Sequence, residues 1–186
     1  MDSSELRAEL ERRAALDQEA RSAVAGWSDD PQTELWDVVK EVDTDNTRWL
    51  LEVVTEQGWP RMSEIGEEAA TNAWLLAQHA DLQLEHQRTF HQRMKEAVAA
   101  GEATSELFAY LDDRVRTNAG KAQLYGTQFI DRGQGLEVQP IEDPDGLAAR
   151  RAAMGMEPFE ENEARMHEIW KHDGASDTAG RDGDPD

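Results

Sequence analysis

In 186 residues the chain carries 40 acidic side chains against 19 basic ones, a formal net charge of −21, and no cysteine. Disulfides, thiolate metal sites, iron–sulfur clusters and a cysteine nucleophile are therefore excluded. So negative a surface repels phosphate backbones and anionic lipid, which bind through Lys and Arg. The start, MDSSELRAELERRAALDQ, lacks the apolar segment of a signal peptide. No apolar run approaches the roughly 18 residues that span a bilayer. The expectation is a cytoplasmic protein with no nucleic-acid or membrane partner; a basic protein partner, steered in by charge, stays open.

Ala, Leu, Glu, Gln and Arg are abundant and β-branched runs are few, so helices should dominate. Residues 3–25 read as a first helix with Ser3 or Ser4 as N-cap and Gly26 as its end. A second runs from about Gln32 to Gln57 with Leu35, Val39, Val42, Trp49 and Val53 on one stripe, and stops at Gly58 and Pro60. Residues 63–100 read as one long helix or two in tandem, ended by Gly101. SELFAYLDDRVRTNAGKAQ supplies a fourth helix.

From Tyr125 two glycines and the alternation at Leu136 and Val138 suggest a short hairpin or ordered loop. Asp143-Pro144 then opens a short helix closed by Gly155. Pro158 opens a last helix with Phe159, Met166 and Trp170 on one face. The result is a mainly α, single-domain bundle of five to seven helices spanning 1–172, with a minor β-hairpin or ordered loop after the fourth helix. The acidic tail 173–186 should be disordered, having no side chain able to enter a core.

Helical spacing puts polar groups where apolar ones belong. On a continuous helix through 75–94, Leu75, His79, Leu82, His86, Phe90 and Met94 share a face. Asp17 and Arg21 follow Leu6, Leu10 and Ala14 on helix one, and Asn46 sits between Val42 and Trp49 on helix two. Arg114 and Asn118 follow Leu107 and Leu111 on the fourth helix, with Asp113 beside them. Each alone reads best as a satisfied core residue or ordinary ion pair. Four helices each sending polar groups inward imply one shared hydrogen-bonded cluster, because buried polar groups are costly unless they satisfy one another. YGTQ, residues 125–128, follows a helix end, and Gly126 there frees backbone N–H groups that a ligand oxygen could use.

No nucleophile elbow surrounds any serine, and no phosphate-binding loop is present. His79 and His86 lie ~10.5 Å apart along a straight helix at 1.5 Å per residue, too far to share an ion easily, and no H-E-x-x-H occurs. We assign no metal ligand and no cofactor, although His79 with Asp17 or Asp113 keeps a metal-dependent enzyme open as an alternative. General acid/base chemistry fits better: His79 oriented by a carboxylate, Arg21 or Arg114 clamping a small anionic or peptidyl substrate, and YGTQ donors stabilising developing charge. The rival is a non-enzymatic partner-binding module, immunity-like or accessory, in which the same network fixes helix register.

DQEAR (Asp17, Gln18, Arg21), DTDN (Asp43, Asn46), GWP (58–60), QHAD (78–81), DDR (112–114) and the Gln123-Leu124-YGTQ stretch (123–128), with PI (140–141) and RRAAMG (150–155), resemble the bacterial family called domain of unknown function 6624. The resemblance runs from about residue 5 to 165 and carries no established activity. It implies a site built on Asp17, Arg21, Asn46, His79, Arg114 and Gln128, and adds Asp81, which lies about 200° around an ideal helix from His79 at 100° per residue. The candidate catalytic residues are thus His79, Asp81, Asp17 and Asp113. Candidate substrate-binding residues are Arg21, Asn46, Arg114, Gln123, Tyr125, Gly126, Thr127 and Gln128.

Overall fold

The alanines of EEAATNAWLLAQ explain the centre of the molecule: Ala69, Ala70, Ala73 and Ala77 have almost no exposed surface, and their small side chains let neighbouring helices pack closely on several sides. The computed structural model describes residues 1–24 and 34–178, with side chains described over 1–24 and 36–172. It contains helices α1 (Ser3–Ser22), α2 (Glu34–Gln57), α3 (Met62–Ile65), α4 (Glu67–Gln78), α5 (Leu84–Ala99) and α6 (Ser105–Asn118). A two-stranded antiparallel hairpin follows, β1 (Phe129–Asp131) and β2 (Leu136–Val138), then α7 (Leu147–Ala153) and α8 (Phe159–Thr178).

Helix α4 packs against α1, α2, α3, α5 and α6, while α5 lies along α6. Leu10, Leu50, Phe90 and Leu111 are completely enclosed in this core, each worth ~1.5–3 kcal/mol of transfer free energy. Helix α1 starts with a capping box on Asp2, whose carboxylate accepts from the Ser4 and Glu5 amides while Glu5 reaches back to the Asp2 amide. Asp2 therefore takes the cap expected of Ser3 or Ser4, since one residue earlier its acceptor oxygen reaches two free N–H groups.

The mainly helical bundle with a small hairpin is what the sequence predicts, but there are eight α-helices among the described residues. The extra ones come from residues 63–100, which form neither one helix nor two. Gly66, at φ +85, turns the chain between α3 and α4, and residues 79–83 break it again before α5. The second break has no Gly or Pro. Its cause is Gln87, whose buried amide donates to the carbonyls of Ala77 (3.4 Å) and Gln78 (3.3 Å) and to Asp81 Oδ1 (2.9 Å). A side chain thus satisfies carbonyls that the next helical turn would otherwise take.

The proposed stripe through 75–94 is accordingly discontinuous: Leu82 is 57 % exposed, and among the described residues the His86 ring bonds only locally, to Gln83 Oε1 (2.8 Å). Helix α8 continues to Thr178, past the expected boundary at 172. The predicted ends at Gly26 and Gln32, Leu35 of the helix-two stripe and the last part of the tail (179–186) lie outside the residues or side chains described.

Candidate active site at the turn between α4 and α5

His79 ends α4 as its C-cap residue (φ −91, ψ 8). Its ring Nδ1 lies 2.8 Å from Oδ1 of Asp17, which is only 1 % exposed. Arg21, one turn beyond Asp17 on α1, brings Nε to 3.0 Å from the same Nδ1 and 3.4 Å from Asp17 Oδ2, and donates through Nη2 to Asp43 Oδ1 of α2 at 2.6 Å. Gln18 donates to Asp17 Oδ2 at 2.8 Å. Three helices meet here, so each polar group that interrupts an apolar face is satisfied by another.

Nδ1 cannot accept from Arg21 and donate to Asp17 at once. Burial raises the Asp17 carboxyl, but the His79 hydrogen bond and the charges of His79 and Arg21 outweigh it and hold the group below its ordinary range. Asp17 is therefore a carboxylate, and the consistent arrangement has Nδ1–H donating to Asp17 while the Arg21 Nε–H turns to Asp17 Oδ2. In the neutral imidazole this leaves the Nε2 lone pair free, and in the imidazolium an Nε2–H: among the described residues nothing bonds Nε2, and the side chain keeps 16 % of its surface.

Asp43 behaves in the opposite way. Burial pushes its carboxyl up to about 6, and the charge of Asp17 adds to this, against the pull of Arg21 and His79. A carboxyl with a folded pKa above its unfolded value binds protons more readily when folded, so the folded state gains stability as pH falls from about 6 toward the ordinary 3.8. Asp17 and Asp81, both depressed, contribute stability above the ordinary range that is lost only at lower pH, as it falls through their folded values. The melting temperature of the wild type should therefore rise relative to that of Asp43→Asn as pH falls from 7 to 4.5. A wild-type-minus-variant difference that stays flat, or falls, as the pH drops contradicts the assignment.

Asp81 belongs to a second cluster on the other side of the same turn. Arg114 of α6 grips it in a fork, with Nε at 3.1 Å from each oxygen and Nη2 at 2.6 Å from Oδ2. Gln87 and Asn118 donate to its Oδ1, and Arg114 Nη1 donates to Gln128 Oε1. His79 and Asp81 are two residues apart, so their Cα atoms lie within ~7 Å. The break in the helix explains how both can be engaged although an ideal helix points them apart.

The remaining expected residues go elsewhere. Asp113 is fully enclosed and accepts from the backbone N–H groups of Leu124 (2.6 Å), Tyr125 (3.1 Å) and Thr127 (3.1 Å) and from the Thr127 hydroxyl (2.9 Å). The YGTQ amides expected to greet a ligand oxygen are thus occupied by this chain's own carboxylate, and Asp113 has no open face for catalysis. From the other side, Arg150 donates to Leu124 O, Arg151 to Tyr125 O and Asn162 to Gly126 O. Gly126 needs both its φ of +71 and its missing Cβ, which would stand 2.8 Å from the Phe159 ring.

Gln123 ties the end of this loop to the hairpin through Gln128 and Gln139 carbonyls. Gln123, Tyr125, Gly126 and Thr127 therefore form a joint between α6 and the C-terminal helices. Asn46 accepts from Arg13 (3.0 Å), one turn from Asp43, and makes no bond to His79. A cavity of about 350 Å³ lies apart, beside α3 and the start of α4, lined by Arg7, Glu11 and Asn72 among others and by none of the expected site residues.

Two residues that the sequence reading left out of the site are central to it. Asp43 lies three before Asn46 on α2, a spacing that places it on the same face; Gln87 had no signal beyond its polarity. Asp17, Asp43 and His79 also bring one donor atom each within 4.8 Å of one another, a set able to hold a metal ion, with the Arg21 guanidinium among them.

Nothing among the curated proteins matches this chain, and no solved structure does. A model of a family of unknown function, DUF6624, matches residues 3–171, nearly the full length described. The chain belongs to that family.

Proposed function

We propose that the protein is an enzyme working by general acid/base chemistry at His79. One observation carries this: Nδ1 is fixed 2.8 Å from the buried Asp17 carboxylate while Nε2 is unengaged among the described residues. A carboxylate behind an imidazole selects the tautomer, holds the ring and stabilises the imidazolium after proton uptake. Asp43, raised by burial to about 6, stands on the other side of Arg21, so two carboxyls, this one and the depressed Asp17, share one site with their proton affinities moved apart. Both arginines expected to clamp an anion are already paired with carboxylates, so this reading does not lean on an anionic substrate.

The test is a screen of ester, amide and amine substrates against the purified protein. Any turnover found should fall about 10²-fold or more in His79→Gln, the scale of a positioned proton carrier, while the melting temperature holds within a few degrees. Turnover undiminished in His79→Gln ends the proposal. A metal-dependent enzyme is the second reading, favoured by the three donors within 4.8 Å. It ranks second because Arg21 already supplies the cation that Asp17 and Asp43 require.

A further inference from the structure

The charges around the turn restrict what this site can take. Asp17 and Arg21 come from α1, Asp43 from α2, and the Asp81–Arg114 pair joins α5's approach to α6. Three carboxylates face two guanidinium groups, so with a neutral His79 the two clusters together carry an excess of one negative charge. The surrounding field has the same sign, at −21 for the chain, and draws cations toward the surface.

The unspent valences agree. Asp43 uses Oδ1 on Arg21, and its Oδ2 takes no hydrogen bond among the described residues. His79 Nε2 is likewise an unspent acceptor. Arg21 has committed Nε and Nη2, and its charge is matched twice over by Asp17 and Asp43. A carboxylate or phosphate entering beside Asp43 would meet like charge; an N–H cation would meet acceptors. Arg21 shows the preference directly, because its guanidinium is bound here through N–H groups at 2.6 and 3.4 Å.

Resting on the acid/base reading above, we infer that the substrate carries an ammonium, amidinium or guanidinium group, which Asp43 Oδ2 receives while His79 Nε2 addresses the reacting atom beside it. Asp43 is then the specificity-determining residue and Asp17 the group that orients the base. A nitrogen cation is preferred to a metal ion because binding it requires no movement of Arg21 out of the cluster.

The experiment follows the His79 ring resonances of the full chain, labelled at histidine and assigned by His79→Gln, with agmatine as cationic probe and glutarate as an anionic one of similar length. Agmatine at millimolar concentration should shift His79 saturably, and Asp43→Asn should weaken that binding about tenfold or more, the scale of one charge-assisted hydrogen bond. Glutarate should leave the ring unmoved. A shift with glutarate, no shift with agmatine, or agmatine binding unchanged in Asp43→Asn overturns the inference. Zinc binding at equimolar concentration with agmatine silent also overturns it, in favour of a metal site. None of these results alters whether turnover depends on His79, so a failure here is separable from a failure of the acid/base reading.

Discussion

Asp113→Ala should cost about 3 kcal/mol or more of stability, because it strands the buried Thr127 N–H and hydroxyl and the part-buried N–H groups of Leu124 and Tyr125, a buried group costing ~1–3 kcal/mol when left unsatisfied. Part of that loss is offset, since burial alone raises the Asp113 carboxyl and outweighs the backbone and hydroxyl bonds that pull it down; removing a desolvated charge recovers some of this cost. What remains is large against a total stability of ~5–15 kcal/mol. Asp113 also has leverage. The loop amides it holds belong to residues whose carbonyls are held by Arg150, Arg151 and Asn162, so freeing one side loosens the C-terminal helices. Asp113→Asn, which keeps an acceptor oxygen, should lose clearly less. Urea unfolding followed by circular dichroism measures both. A cost below 1 kcal/mol for Asp113→Ala would mean that water replaces the carboxylate and that the joint does not depend on it.

The same residue shows where sequence reading stops. Asp113 beside Arg114 looks like one inward pair, yet the structure sends them to different partners: Asp113 to the YGTQ backbone, Arg114 to Asp81. Face assignment by helical period gives the direction of a side chain to within about one residue's 100° step, which is too coarse to separate neighbours serving two clusters. His79 illustrates the complementary case. Helical period places it on a continuous inward stripe, but α4 ends at residue 78, and His79 reaches Asp17 as a capping residue. The coincidence of polar groups on separate helices carries more: Asp17, Arg21 and His79 meet.

Helix ends marked by Gly or Pro were legible, among them Gly58, Gly101 and Gly155, all at positive φ. The break at 79–83 was not, because its cause is a glutamine side chain folding back from the next helix, a tertiary event that no local propensity records. Without that break the polar groups read as one shared cluster, where the structure has two. Apolar periodicity located the core; the partition of its polar exceptions depended on three-dimensional pairing.

Asp17→Asn should abolish the proposed base while the chain stays folded, and the donors around the carboxylate dictate how. Oδ2 of Asp17 receives Gln18 Nε2 at 2.8 Å and has Arg21 Nε at 3.4 Å, so the asparagine carbonyl oxygen must take that side. Its amide nitrogen then faces His79 Nδ1 from the position of Oδ1, 2.8 Å away. An N–H donor there demands an acceptor, so the imidazole switches to the tautomer protonated on Nε2. The nitrogen open to substrate becomes a donor instead of a base, and the negative charge that would stabilise the imidazolium is gone as well. A loss of about 10²–10⁴ in turnover is the expected scale. Stability should fall without unfolding the chain: the depressed Asp17 carboxylate contributes to folding at neutral pH, but the replacement has the same shape and Arg21 retains Asp43. Nitrogen chemical shifts of the His79 ring report the tautomer independently of any substrate. If the variant keeps Nδ1 protonated and full turnover, Asp17 is no more than a buried ion-pair partner of Arg21 and the basis for placing catalysis at His79 is removed.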